Sequence, residues 1–136
     1  MLVVDASVLA TALADDGADG DTARGYLRTQ ELAAPELIDL EVASVLRRQW
    51  SIAKLDLRRA QMALEDLFDL PMLRAPHRPL LGRCWELRDN LSVYDAAYVA
   101  LAEALDTSLL TADSRLAKAP GINCAVEVVG AGSRRR

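Results

Sequence analysis

Leu2-Val3-Val4-Asp5 stands at the start of the chain, and this stretch decides the fold. Three consecutive apolar residues predict a strand that is buried on both faces, which is typical of a parallel sheet. Asp5 follows at once, so its carboxylate is expected at the carboxyl end of that strand. In open α/β sheets the ligand crevice lies outside this edge, where the strand order reverses. The stretch therefore predicts a parallel sheet with an acidic group at its functional edge.

Strands and helices alternate along the rest of the chain, without the turn signals of a β-hairpin. Further strands are predicted at residues 32–34, 72–74, 108–111 and 125–129, and helices at 6–14, 21–30, 36–50, 56–70, 79–89, 93–105 and 114–118. This alternation predicts an α/β fold, with a central parallel sheet and helices on both faces. We expect one domain at residues 1–130 and a flexible basic tail at 131–136.

The length and composition fit one globular domain. The chain has 136 residues, of which 51% are hydrophobic and 26% charged, enough to bury a core. No apolar run approaches the ~20 residues of a membrane span. The first residues lack the basic flank and cleavage site of a signal peptide. We therefore expect a cytoplasmic protein that does not contact a membrane.

Cysteine and histidine are too few to build a stabilising framework. Cys84 and Cys124 lie far apart, and His77 is the only histidine. This set makes neither a disulfide scaffold nor a zinc site, so both cysteines are expected to be buried. Trp50 and Trp85 are interpreted mainly as core residues, with an interface role as the alternative.

The net charge is acidic, at −4 with a pI near 5.0. This balance argues against a protein that holds nucleic acid through bulk positive charge. The argument weakens if four of the acids bind a divalent ion, because the rest of the surface is then close to neutral. The tail ends in Arg134-Arg135-Arg136, which either contacts phosphates or is a solvated end.

Four acidic residues stand where a predicted strand ends or a helix begins, namely Asp5, Glu41, Asp95 and Asp113. Asp5 and Asp113 follow strands, and each could equally be a helix N-cap. Asp95 follows Ser92 at the spacing of a capping box, although it shares its helix face with apolar residues.

Glu41 lies on the apolar stripe of its predicted helix, where an unpaired carboxylate is costly or takes up a proton. It is therefore either paired, for example with Arg47 or Arg48, or part of a ligand site, and we favour the site. If the fold gathers all four acids, the cluster needs a divalent cation. Such a cluster points to phosphodiester chemistry.

Other common chemistries lack their residues. A Ser-His-Asp hydrolase would depend entirely on His77, which lies in a proline-rich loop and is expected at the surface. The phosphate-binding pattern GxxxxGK[ST] does not occur in the sequence. The two lysines, Lys54 and Lys118, do not directly follow a predicted strand, which argues against a phospho-accepting receiver.

Four segments in this order resemble the PIN domain and, more narrowly, the VapC toxins of type II toxin–antitoxin pairs. They are Val3-Val4-Asp5-Ala6-Ser7, Glu41, Tyr94-Asp95-Ala96-Ala97-Tyr98 and Leu110-Thr111-Ala112-Asp113-Ser114-Arg115-Leu116. The resemblance covers about residues 1–129. It implies a PIN-like three-layer α/β/α fold with a central parallel sheet of about five strands. It also implies an endoribonuclease that depends on Mg²⁺ or Mn²⁺, a homodimer, and a cognate VapB-like antitoxin.

The four acids then divide the chemistry among them. Asp5 and Asp95 are expected to bind the metal directly, while Asp113 binds the same ion or a second one, through water. Glu41 is expected to orient or deprotonate the attacking water. Oxygen ligands alone favour a hard ion such as Mg²⁺ or Mn²⁺.

Three further residues are candidates for substrate binding. Ser7 and Thr111 hydrogen-bond either the acids or a phosphate oxygen, unless they are plain turn residues. Arg115 is either a phosphate contact or a surface charge. Two alternative functions stay open: a PIN nuclease that acts in RNA processing without an antitoxin, and a PIN-like scaffold that binds RNA or a partner without cleaving.

Overall fold

Five strands form one parallel sheet at the centre of the molecule. The computed structural model describes residues 1–130, and the tail predicted at 131–136 lies outside that range. The strands are β1 (Leu2–Val4), β2 (Leu32–Pro35), β3 (Met72–Ala75), β4 (Leu109–Thr111) and β5 (Val126–Val128). Their order is β3-β2-β1-β4-β5, and all neighbours run parallel. The predicted parallel sheet is confirmed.

Helices flank this sheet, which confirms the three-layer α/β/α architecture. Within residues 1–130 the α-helices are α1 (Ala6–Ala14), α2 (Ala18–Leu27), α3 (Leu37–Ser51), α4 (Leu57–Asp69), α5 (Leu81–Glu86), α6 (Val93–Ala104) and α7 (Ser114–Ala117). A 3₁₀ turn at Arg78–Leu80 leads into α5. None of these helices is long and apolar enough to cross a membrane.

Two helix starts differ from the prediction. Helix α2 begins at Ala18, three residues before the predicted start, because the Asp15 carboxylate accepts a hydrogen bond from the Gly17 amide and fixes the turn there. Pro35 ends β2, and α3 begins at Leu37, one residue after the predicted start. The exposed ring of His77 is the reason α3 starts where it does: its Nε2 accepts a hydrogen bond from the Leu37 amide at 2.9 Å.

The core lies between the sheet and the helices that cover it. Strands β1 and β4 are buried along their whole length, as expected of central parallel strands. Cys84 is buried, Cys124 is half-buried, and both thiols are free. The core assignment of the two tryptophans was wrong. Trp50 is 46% exposed and Trp85 64% exposed, because each lies on the outer side of its helix.

The central pair of strands sets the position of the first acid. Val4 lies opposite Leu110, and the Asp5 amide donates to the Leu110 carbonyl at 3.1 Å. The chain order reverses between β1 and β4, since β1 pairs with β2 on one side and β4 on the other. Asp5 therefore leaves the sheet at the topological switch point.

One ion-paired arginine ties α5, α6 and the segment before β5 together. The Arg83 guanidinium donates to both oxygens of Glu103, at 2.7 and 3.1 Å, and to the Gly121 carbonyl at 2.7 Å. Glu103 also accepts from the Asn123 amide at 2.7 Å. The hydrogen bond from Arg83 lowers the pKa of Glu103 below its ordinary value.

We predict that Arg83→Met lowers the free energy of unfolding by about 1–2 kcal/mol, because the largely buried Glu103 carboxylate loses both guanidinium donors and keeps only the Asn123 amide. The pKa of Glu103 is lowered in the folded state, so its contribution is present above the ordinary pKa of 4.5 and is lost as the pH falls through the folded value. The variant should lose most of this acid dependence, since only the Asn123 hydrogen bond still lowers the pKa of Glu103. Urea unfolding at several pH values measures both effects. Arg78→Met, at an exposed position, is the control; equal effects of both variants would contradict the prediction.

Candidate functional site

All four acids that the sequence singled out line one cleft. It lies at the carboxyl ends of β1 and β4 and is walled by α3 and α6, with a volume of about 420 Å³. Its lining residues are Asp5, Ala6, Ser7, Glu41, Ser44, Val45, Asp95, Tyr98, Thr111, Asp113 and Leu116. The fold thus collects carboxylates from positions that are far apart in the sequence.

The Asp5 carboxylate is held by donors from two elements. Ser7 Oγ and the Val8 amide in the first turn of α1 donate to Oδ1 at 2.9 and 3.0 Å. Thr111 Oγ, fully buried at the end of β4, donates to Oδ2. Burial raises the pKa of Asp5, the three hydrogen bonds oppose this shift, and the nearby charge of Asp95 adds to it. The side chain is therefore rigidly placed in surroundings that disfavour its negative charge.

Glu41 reaches the cleft from α3 and is bound by a tyrosine. Tyr98 Oη donates to Glu41 Oε1 at 2.5 Å. Burial raises the pKa of Glu41, the Tyr98 hydrogen bond lowers it, and the charges of Asp95 and Asp5 raise it again. The partner of Glu41 is thus Tyr98, and the structure gives no hydrogen bond between Glu41 and Arg47 or Arg48.

Asp95 lies at the rim of the cleft in the first turn of α6. Ser92 caps this helix by accepting from the Asp95 amide at 3.1 Å. Asp95 is exposed although it shares its helix face with apolar residues, because that face becomes buried only from Tyr98 onward. Within residues 1–130 the Asp95 carboxylate accepts no hydrogen bond. It is held in place by the helix alone.

Asp113 is engaged by its own helix turn and by Arg115. It accepts from the Arg115 amide at 2.9 Å and from the guanidinium at 3.1 and 3.2 Å. These bonds lower the pKa of Asp113. The Arg115 side chain is 90% exposed. Thr111 Oγ accepts from the Asp113 amide at 3.0 Å, so one hydroxyl links the acids on both sides of the switch point.

Two of these acids cap helices and also line the cleft. Asp5 is the N-cap of α1 and Asp113 the N-cap of α7, and both line the cleft. A cap leaves one carboxylate oxygen or lone pair for other partners. Capping therefore fixes both carboxylates at the edge of the sheet where the cleft lies.

Sequence reasoning missed two cleft residues. Tyr98 was seen only as an apolar neighbour of Asp95, although its position three residues further on the same face was a signal that it points toward the same cleft. Ser44 lies three residues after Glu41 on α3 and lines the cleft as well. Neither contact follows from helical spacing alone, because both depend on how α3 and α6 face each other.

A hard divalent ion fits the chemistry of this cleft. Its side chains offer carboxylate oxygens, and burial together with the neighbouring acids raises the pKa of both Asp5 and Glu41, so positive charge in the cleft would favour their ionised forms. In the part of the chain that the structure describes, no three Asp, Glu, His or Cys side chains converge closely enough to hold one ion together. Mg²⁺ commonly uses one or two carboxylates and keeps several water ligands, so two acids suffice for it.

The sequence matches the PIN domain over residues 2–122. The chain belongs to the PIN-domain family. Ribonuclease VapC1 of Mycobacterium tuberculosis (strain ATCC 25618 / H37Rv) is 46% identical over 128 residues, which cover 93% of this chain and 96% of the relative. Ribonuclease VapC9 of the same strain is 43% identical over 129 residues, covering 95% and 98%. These relatives place this PIN domain in the VapC group, as the sequence resemblance implied.

Solved structures share the fold of this PIN domain. Mycobacterium tuberculosis VapC20, described as a sarcin–ricin loop cleaving toxin, matches with a TM-score of 0.69 and 17% identity, covering 90% of this chain and 97% of that one. VapBC2 from Rickettsia felis, bound to a DNA fragment from its promoter, matches with a TM-score of 0.69 and 14% identity, covering 94% and 98%. At such identities the likeness establishes the fold.

We predict that Tyr98→Phe raises the pKa of Glu41, because the tyrosine hydroxyl stabilises the ionised carboxylate. The loss of the hydrogen bond should also cost about 1 kcal/mol of stability. NMR titration of ¹³C-labelled glutamate side chains measures the first effect and thermal unfolding the second. Tyr94→Phe is the matched control, since Tyr94 lies on the same helix but is 64% exposed. An unchanged Glu41 pKa in Tyr98→Phe would contradict the prediction.

Proposed function

We propose that this VapC-group protein is a metal-dependent endoribonuclease and the toxin of a VapBC-type toxin–antitoxin pair. One observation carries the proposal: a single cleft gathers Asp5, Glu41, Asp95 and Asp113 at the topological switch point. The two relatives at 46% and 43% identity are named ribonucleases. An acid-lined cleft on this fold is suited to hydrolysis of a phosphodiester bond.

Asp5 and Asp95 are the residues that would hold Mg²⁺ or Mn²⁺ directly. Asp5 is already oriented by three donors, and Asp95 has no competing hydrogen bond among the described residues. Asp113 is engaged by Arg115, so we assign it a contact through water or to a second ion. A bound divalent ion supplies positive charge against the anion that builds at phosphorus, and it acidifies water.

Glu41 is the residue that we propose to orient the attacking water and accept its proton. A raised pKa brings a carboxylate closer to neutral pH and makes it a better base. The Tyr98 hydrogen bond fixes one oxygen of Glu41, which leaves the other for water. Tyr98 is thus a positioning residue, since it acts through Glu41.

The three predicted substrate residues receive separate roles. Ser7 and Thr111 donate to Asp5, so we propose that they position this acid. Each hydroxyl has one proton to donate, so it binds a phosphate oxygen only if it releases Asp5. Arg115 lies at the exposed rim beside Asp113. There it would bind a phosphate oxygen once Asp113 turns toward the ion.

The proposed partners are an RNA substrate, a VapB-like antitoxin and a second copy of the chain, all in the cytoplasm. Several large apolar side chains are exposed, including Leu40 at 76% and Phe68 at 77%. Such residues are suited to protein interfaces.

The presence of a cognate antitoxin distinguishes a toxin from a PIN nuclease that acts in RNA processing. Co-expression with a small adjacent gene, followed by purification of a stable complex, supports the toxin.

We predict that the purified protein cleaves single-stranded RNA with Mg²⁺ or Mn²⁺ and that Asp5→Asn and Asp95→Asn reduce the rate by at least about 100-fold. The products should carry a 5′-phosphate and a 3′-hydroxyl, because water and not the 2′-hydroxyl attacks. Mapping the ends of cleaved RNA tests this directly. A 2′,3′-cyclic phosphate would exclude the mechanism, and no cleavage by the wild type under any metal condition would favour the non-catalytic scaffold.

We predict that Mg²⁺ or Mn²⁺ raises the melting temperature of the wild type. At a metal concentration 100 times the dissociation constant, the expected gain in the free energy of unfolding is about 2.7 kcal/mol. Asp95→Asn should abolish most of this shift without disturbing the fold, since the side chain is exposed. Asp89→Asn removes the same charge from an exposed residue outside the cleft and is the control. Equal metal shifts in the two variants would count against the site.

A further inference from the structure

Helix α3 presents more than Glu41 to the cleft. Ser44 and Val45, three and four residues later, line the same cavity, so this face of the helix runs along the cleft wall. Arg48 continues the face, four residues after Ser44 and three after Val45. It stands one helical turn beyond Ser44 and two turns beyond Glu41.

The direction of the side chain supports this position. In an α-helix the Cα–Cβ bond tilts toward the N-terminus, so a residue covers the turn that precedes it. For Arg48 that turn contains Ser44 and Val45, which line the cleft. Arg48 is exposed, and within residues 1–130 its guanidinium makes no ion pair or hydrogen bond. Arg115, the arginine beside Asp113, is already in an ion pair with that acid.

The negative charge of the cleft opposes RNA binding, so an unpaired cation near the cleft favours it. Asp5, Glu41, Asp95 and Asp113 repel a polyanion, and the protein as a whole carries −4. Cations that contact the phosphates of an RNA strand beside the acids offset this repulsion. A guanidinium matches phosphate oxygens in a bidentate geometry.

We infer that Arg48 is a substrate-positioning residue that binds a phosphate of single-stranded RNA next to the bond that is cut. This inference rests on the proposed nuclease function. Seven residues separate Arg48 from Glu41, which places their Cα atoms about 10 Å apart along α3. Arg48 therefore contacts a neighbouring phosphate and fixes the path of the strand along α3.

The next residue back provides a matched control. Arg47 lies on a different side of α3, where it lines an apolar groove with Leu46, Trp50 and Leu57 from α3 and α4. It is also exposed and carries the same charge. Arg48→Gln and Arg47→Gln thus change the net charge equally, but only the first removes a cation from the side of α3 that carries Ser44 and Val45.

The test measures RNA binding and cleavage side by side. A short fluorescein-labelled single-stranded RNA of random sequence is titrated with each variant in EDTA, where no cleavage occurs. Arg48→Gln should weaken binding several-fold and reduce the salt slope of log K by about 0.7, the value of one lost phosphate contact on a single strand. In cleavage assays KM should rise with kcat retained. Arg48→Lys should recover part of the affinity.

Two outcomes separate the inference from the proposed function. Equal binding by Arg48→Gln, Arg47→Gln and the wild type overturns the role of Arg48, even if all three cleave RNA. An equal loss in both variants also overturns it, since this reports only net charge. Absence of cleavage by the wild type contradicts the nuclease function, while the binding comparison in EDTA still decides whether Arg48 contacts RNA. Circular dichroism melting of each variant establishes that the fold is retained.

Discussion

The hydrogen bonds that hold the Asp5 carboxylate link the central sheet to the cleft. Thr111 of β4 donates to one oxygen, while Ser7 and the Val8 amide at the start of α1 donate to the other. This arrangement requires β1 and β4 to be adjacent and in register, as they are at Val4 and Leu110. A slip of one residue would turn the side chain to the opposite face of the sheet. The sheet thus determines where the charge lies, and the remaining acids are placed relative to it.

The cleft combines stabilising and destabilising contacts in the same residues. Asp5 and Asp113 cap helices, and such caps typically contribute about 1 kcal/mol each. The same carboxylates share the cleft with Glu41 and Asp95, and the pKa of Asp5 and of Glu41 is raised by burial and by this crowding. The fold therefore carries concentrated negative charge that a cation would relieve. This concentration of charge is the physical basis on which we propose a metal-dependent activity and not a passive scaffold.

The order of strands and helices could be read from the sequence because each segment is locally consistent. Leu2-Val3-Val4 and the alternating pattern predict the parallel sheet, and the acids at strand ends predict the cleft. What could not be predicted depends on contacts between distant segments. His77 caps α3 from a loop 40 residues away in the chain, and Tyr98 reaches Glu41 across 57 residues. Trp50 and Trp85 were wrongly assigned to the core because a large apolar side chain is typical of a core. Their exposure depends on which side of each helix is covered.

Anomalous diffraction from crystals grown with Mn²⁺ tests the central claim most directly. The account predicts a peak in the cleft with oxygens of both Asp5 and Asp95 within roughly 2.5 Å, the range of direct ligation by oxygen. Glu41 is expected near a water molecule bound to this ion. Asp113 is expected to contact the ion through water or to bind at a second peak. The absence of a peak in the cleft under saturating Mn²⁺, or a single peak elsewhere on the surface, would contradict the claim that these acids share an ion.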